Sequence, residues 1–284
     1  MLVADSLRCL ASGFAFLEGP VWLPCDSPLL PLTGFEQGCL LFSDIERRRL
    51  YVWCDGEFVV FRENSLAANG NALDARGDLL TCEHDSRRVT RTGPDGNIAV
   101  VAEYYQGKRL NSPNDVVARG DGSIFFTDPP YGVTEEEREL DYQGVFRIDP
   151  QRQQLDLVVD DFEKPNGLAF APDGELLYVA DTERCHVRAL TMTRDGKVTG
   201  DEVFCRAERP DGLRVDQDGN LFVAAMQGIE VFDPDGTRSA RLDMPVRPAN
   251  MSFGGADNRW LYICARTSLF RVETDTVQDS SSDF

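Results

Sequence analysis

The chain has only two histidines, His84 and His186, and its eight cysteines stand singly, with no C-x-x-C pair for either histidine to flank. That argues against a zinc site of the thiolate type, which needs such ligands at close spacing. Long apolar runs are also missing, so no segment reads as a membrane-spanning helix. The first twenty residues, MLVADSLRCLASGFAFLEGP, have no basic head, and Asp5 and Arg8 interrupt the apolar stretch. They do not read as a signal peptide. The chain therefore reads as cytoplasmic, with cysteines that are reduced core residues. Cys25 and Cys39, which bracket one loop, are the one pair considered for a disulfide. Basic residues are few: 29 Lys and Arg stand against 48 Asp and Glu, a formal charge of −19. A surface that negative repels phosphate backbones and anionic lipid, which argues against nucleic-acid and membrane partners. Helical periodicity is missing too, since the acidic stretch 134–142 is at most a short turn.

What is present is a repeat. A polar residue opens a short apolar strand, a turn with Asp-Gly or a similar pair follows, and a second apolar strand returns. The best copies are PNGLAFAPDGELLYVADT (165–182) and PDGLRVDQDGNLFVAA (210–225). Looser ones are PNDVVARGDGSIFFTD (113–128), ANGNALDARGDLLTCE (68–83) and PANMSFGGADNRWLYICA (248–265), and the first, EGPVW, has its return strand CLLFSD delayed by an insertion. Each copy is followed by more strand-forming sequence, giving about four strands per unit. Units opening at Glu18, Asn69, Asn114, Asn166, Asp211 and Ala249 recur every 38 to 52 residues. Six such units predict an all-β fold, a six-bladed β-propeller forming a single domain over 1–284. The last unit is one strand short, and the N-terminal SLRCLA is placed to close the ring as its missing strand. The tail 279–284, DSSSDF, reads as disordered.

In a propeller the first strand of each blade lines the central channel. Equivalent residues at the heads of those strands then form a ring at one mouth. Five of the six ring positions carry side-chain oxygens: Glu18, Asn69, Asn114, Asn166 and Asp211. An all-oxygen set suits a hard divalent cation such as calcium or magnesium. The plainer explanation is that Asn or Asp before Gly simply forms turns; Glu18 is the position it explains least. The acids that end the second strands, Asp44, Glu83, Asp128 and Asp181, read as turn-holding residues, with Asp128 in D-P-P-Y-G the one placed nearest the pocket. His84 reads as structural rather than as a proton carrier. Trp22, Trp53 and Trp260 read as blade packing.

Several motifs in order, E-G-P-V-W (18–22), R-L-N-S-P-N-D-V-V (109–117), F-T-D-P-P-Y-G (126–132), P-N-G-L-A-F (165–170), R-P-D-G-L-R-V-D (209–216) and F-G-G-x-D-x-x-x-L-Y-I (253–263), resemble the senescence marker protein / gluconolactonase / luciferin-regenerating enzyme family. The likeness runs from about residue 14 to 272. It implies a propeller with one catalytic divalent cation. Glu18, Asn166 and Asp211 would be the direct ligands, Asn114 would face metal and substrate, and Asp211 would also be the general base. Asn69 and Asp128 are added as pocket residues. The implied chemistry is hydrolysis of a small sugar lactone: the cation polarises the carbonyl, and Asp211, or a water on the cation that Asp211 deprotonates, attacks. Calcium is the favoured ion, with magnesium, manganese and zinc able to occupy the same oxygen site. Two features depart from the pattern. Residues 23–38 replace a short turn and put substrate access in question. Ser112 stands where the animal branch has a substrate-contacting arginine, so the chain resembles the bacterial gluconolactonase branch. Two other functions stay open, a phosphotriester hydrolase on the same metal centre and a non-catalytic binding propeller. The sequence leaves the oligomeric state open.

Overall fold

The computed structural model describes residues 2–275 and contains six four-stranded antiparallel sheets, the blades. Their innermost strands are Leu17–Leu23, Ala68–Leu73, Val116–Ala118, Pro165–Phe170, Leu213–Val215 and Asn250–Gly254. Each of these touches the innermost strand of both neighbouring blades, and the sixth returns to the first. The ring is therefore closed. The closing strand is the N-terminal one: Leu2–Ser12 pairs with Ser268–Thr274 to complete blade 6. The tail 279–284 lies outside the described residues. No described helix is long and apolar enough to cross a membrane.

Burial explains the sequence pattern of each blade. Second strands are covered on both faces, so they read as unbroken apolar runs; every residue of Cys39–Asp44 and of Ile124–Asp128 is buried. Outermost strands meet solvent, and Glu57–Glu63 is largely exposed, including Phe58, Val59 and Val60. The apolar core is divided into six layers, each shared by two adjacent blades. In the layer between blades 2 and 3, Phe126 stacks on Phe146 with ring centroids 5.4 Å apart. Truncating a buried ring of that kind costs about 3–5 kcal/mol. Trp22 stacks on Tyr262 at 5.4 Å across the seam of blades 6 and 1, as packing residues do.

The insertion does not cover the ring mouth. It leaves the first strand at Leu23, the end opposite Glu18. It forms the short helix Leu30–Thr33, buries Leu29 and Leu30 in the layer between blades 1 and 2, and rests Pro28 against Gly77. The question it raised about substrate access is answered by this placement: it caps the far end of two blades. Cys25 is exposed, Cys39 is buried, and both are free thiols, so the considered disulfide is not formed.

Candidate active site

Around the channel, neighbouring blades approach closely through glycine. A Cβ on Gly167 would lie 2.4 Å from the carbonyl oxygen of Asp211, and one on Gly70 2.6 Å from that of Asn114. Both contacts are far inside van der Waals range. With no side chain in the way, Gly167 N–H donates to Asp211 O at 3.1 Å and Gly70 N–H to Asn114 O at 2.8 Å. Asn69-Gly70 and Asn166-Gly167 thus lie inside strands, not in turns. The glycine serves blade-to-blade approach, and the turn-forming explanation of these pairs is set aside. Ser43 Oγ donates to Asn69 O and Thr127 Oγ to Asn166 O, both at 2.7 Å, so the backbones of these two ring residues are tied to the preceding blade.

A second device fixes the ring. Asp44 accepts hydrogen bonds from the N–H groups of Ala15 and Phe16, Asp128 from Asn111 and Ser112, and Asp181 from Glu163 and Lys164, at 2.7–3.1 Å. In each blade these are the residues three and two positions before the ring residue. The acid braces the segment that delivers Glu18, Asn114 or Asn166, as the turn-holding reading of these acids requires. Asp128 is therefore not on the cavity wall. It is fully buried, and burial pushes its carboxyl up to about 7 despite the two N–H donors. Its assignment as a substrate contact is corrected to a brace. Glu83 departs from the pattern: its longer side chain takes Ser86, Arg88 and Thr90 instead.

The other five predicted residues come together. Glu18, Asn69, Asn114, Asn166 and Asp211 all line one cavity of about 230 Å³ at the ring mouth. The first four are at most 6% exposed, and the Asp211 side chain is 15% exposed. Their amides form a directed chain. Asn69 Nδ2 donates to Asn114 Oδ1 at 2.7 Å, and Asn114 Nδ2 donates to Asn166 Oδ1 at 2.7 Å. Asn166 Nδ2 donates to Thr182 Oγ and Tyr131 Oη, both at 3.1 Å. At the head of the chain, Asn69 Nδ2 stands 3.2 Å from His84 Nε2. An amide nitrogen only donates, so Nε2 is the acceptor and the His84 proton sits on Nδ1. Burial lowers His84 to about 4, and the ring is neutral near pH 7.

Two carboxylates share this buried place. Burial, reinforced by the neighbouring Asp211, raises Glu18 well above the usual carboxylate range. Asp211 is pushed up to about 7, again mainly by burial, with the Arg247 guanidinium pulling the other way from 3.7 Å. Among the described residues no three Cys, His, Asp or Glu side chains gather as a metal site. The available set is two carboxylates plus amide oxygens, all hard donors. It fits a calcium-like ion, whose positive charge would offset the mutual repulsion of two buried acids.

Sequence reasoning missed the cavity's cations. Arg209, Arg247 and Arg266 line it, together with Tyr131 and Phe16. A signal existed: Lys164, Arg209 and Arg247 each stand two residues before the ring position, followed by proline, in blades 4, 5 and 6. Ser112 also has a role that the sequence left unread. Its Oγ accepts from Gly132 N–H at 2.9 Å, holding the loop that carries Tyr131 over the ring.

Closed ring, oxygen-lined mouth and buried acid pair define a propeller enzyme with a small pocket of mixed polar and apolar lining. The chain belongs to the SMP-30/Gluconolactonase/LRE-like family, whose model matches residues 16–267. It is 31% identical to a gluconolactonase of Zymomonas mobilis over 96% of this chain and 83% of that one. The fold superposes on a gluconolactonase from Xanthomonas campestris with a TM-score of 0.84 at 34% identity, covering 94% of this chain and 89% of the other. A calcium-binding regucalcin from Agrobacterium tumefaciens shares the fold at a TM-score of 0.78 and 19% identity, over 96% and 95% of the two chains.

Proposed function

We propose that the protein is a divalent-cation-dependent lactonase acting on a small sugar lactone. The observation that carries this reading is the convergence of Glu18, Asp211 and Asn166 with Asn114 in one small cavity. Glu18, Asp211 and the Asn166 amide oxygen would hold the ion, and calcium suits their hardness best. The ion would supply Lewis-acid polarisation of the lactone carbonyl. Asp211 then takes the proton of an attacking water, whose oxygen bonds to the carbonyl carbon while the ring C–O bond breaks. The proton passes to the departing ring oxygen, giving the open hydroxy acid. Asn114 and Asn69 hold the Asn166 amide in one orientation, its oxygen accepting from Asn114, so that side chain is fixed before substrate arrives. Neutral His84 accepts from Asn69 and keeps that chain oriented. Tyr131 and the arginines offer hydrogen-bonding partners for ring hydroxyls. Those groups suit the hydroxyls of a polyhydroxylated lactone.

The test is hydrolysis of glucono-δ-lactone above its spontaneous rate by the chelator-treated protein, then with calcium, magnesium, manganese or zinc restored. Turnover should vanish with the metal, return with calcium, and be absent in Asp211→Ala at every ion concentration. Turnover that survives thorough chelation would remove the cation from the reaction. Absence of turnover with every ion would sink the lactone.

A further inference from the structure

In a chain of net charge −19, the cavity wall carries three arginines, and its only acids are the two proposed ligands, Glu18 and Asp211. A divalent cation would balance those two carboxylates; Arg209 is paired with Glu183, and Arg266 keeps a guanidinium with no carboxylate partner among the described residues. Their placement is systematic. Lys164, Arg209 and Arg247 occupy the same position, two residues before the ring, in three consecutive blades, and Arg209 and Arg247 line the cavity. Lys164 Nζ lies 4.8 Å from the centre of the Tyr131 ring, which itself lines the cavity. One acid, Glu183, meets this arc, 3.9 Å from Lys164 and 3.2 Å from Arg209. Arg247 is held by the carbonyl of Arg209 at 3.3 Å and by Asp211 at 3.7 Å.

Arg266 extends the arc from the hairpin of blade 6. It is exposed, its guanidinium sits 5.2 Å from the centre of the Phe16 ring, and no carboxylate among the described residues lies within 4.0 Å of it. Its backbone carbonyl accepts from Leu17 N–H at 2.7 Å, which ties its base to the segment leading into Glu18. An unpaired guanidinium held on an aromatic face above a pocket is a binding group for an anion.

We infer that this pocket selects lactones carrying an anionic substituent, a phosphate, sulfonate or carboxylate remote from the ring carbonyl, with Arg266 and the Arg209–Arg247 arc as its recognition surface. The inference rests on the lactonase reading for its reaction but not for its anion site. A neutral lactone fills the oxygen ring and leaves the arc unmatched; an anionic one uses both. The attraction is also long-ranged and screened by salt, so preference should fall as ionic strength rises.

The experiment compares kcat/KM for 6-phosphoglucono-δ-lactone and glucono-δ-lactone in the calcium-loaded protein, at low and high salt, for wild type, Arg266→Met and Arg266→Lys. Wild type should favour the phosphorylated lactone at least tenfold at low salt. Arg266→Met should cut that ratio about tenfold, and Arg266→Lys should restore part of it. Equal or lower kcat/KM for the phosphorylated lactone overturns the inference, as does a ratio that Arg266→Met leaves in place. If neither lactone turns over, the lactonase reading has failed, and calorimetry with 6-phosphogluconate decides the anion site separately. Binding weakened about tenfold in Arg266→Met supports the site; no binding overturns it.

Discussion

The side-chain amide of Asn114 donates to the amide oxygen of Asn166 at 2.7 Å, although the two residues belong to different blades. That bond fixes the orientation of the Asn166 amide, and leaves its oxygen a second lone pair. Asn114→Ala should let the amide reorient. We expect kcat/KM to fall about 10- to 100-fold, as loss of such supporting hydrogen bonds does, with calcium affinity weakened in parallel by calorimetry. Unchanged calcium affinity would assign Asn114 to substrate alone.

Glu18 and Asp211 should separate under mutation. Glu18→Gln removes one anionic donor but keeps its shape, so its lost activity should return at higher calcium. Asp211→Asn also removes the base, and kcat should stay down by about 10²–10⁴ at saturating calcium. Titrating calcium in both variants reads the difference directly.

Asp128 braces the segment before Asn114. Asp128→Ala leaves the buried N–H groups of Asn111 and Ser112 without an acceptor. At about 1–3 kcal/mol for each such group, urea unfolding should show a loss of roughly 2–6 kcal/mol. A variant as stable as wild type would show that the brace is dispensable.

Gly167 stands where blade 4 meets blade 5. Gly167→Ala pushes a methyl group against Asp211 O, and should cost about 1–3 kcal/mol together with most of the activity. The turn glycine Gly174, whose nearest neighbours stand at 3.7 Å, is the control. Its substitution meets backbone strain but leaves the ring alone, so turnover at 25 °C should be retained.

His84 sets an acid limb for stability. Its value falls from 6.5 to about 4 on folding. Above pH 6.5 both states are neutral there; between 6.5 and 4 only the unfolded chain takes the proton, and stability drops as pH falls. The full loss is roughly 3 kcal/mol at 1.36 kcal/mol per pH unit. Chemical denaturation of wild type and His84→Gln at pH 7 and pH 4 should show the variant's acid-induced loss to be smaller by about that amount.

The strand count, the closing N-terminal strand and the meeting of five of the six chosen residues at one cavity were legible because a propeller repeats its chemistry at a fixed phase. Glu18, Asn69, Asn114, Asn166 and Asp211 head equivalent strands, and equivalent strands face one axis. Asp128 misled because its type and motif suit a pocket, whereas its direction depends on which N–H groups the previous segment offers. Arg266 follows the second strand of blade 6, the position held by Ile45, His84 and Thr182 in other blades, and all four line the cavity; the residue types at that phase differ so much that no pattern stood out. Arg209 and Arg247 shared a phase, but a cation beside a proline is too common to stand out alone. The far-side position of 23–38 follows from strand direction: a loop leaving the end opposite Glu18 cannot reach the mouth in a short path.

Blade 6 is assembled from both ends of the chain, Leu2–Ser12 beside Ser268–Thr274, with Cys9 paired to Phe270. Glu18 sits on blade 1 and Asp211 on blade 5, so the two acids face each other only when this sheet has zipped shut between them. Pairings so distant in sequence form slowly. A refolding chain should therefore regain its sheet spectrum before its catalysis, and turnover becomes a checkpoint for completed topology: a protein with an open ring is silent rather than indiscriminate.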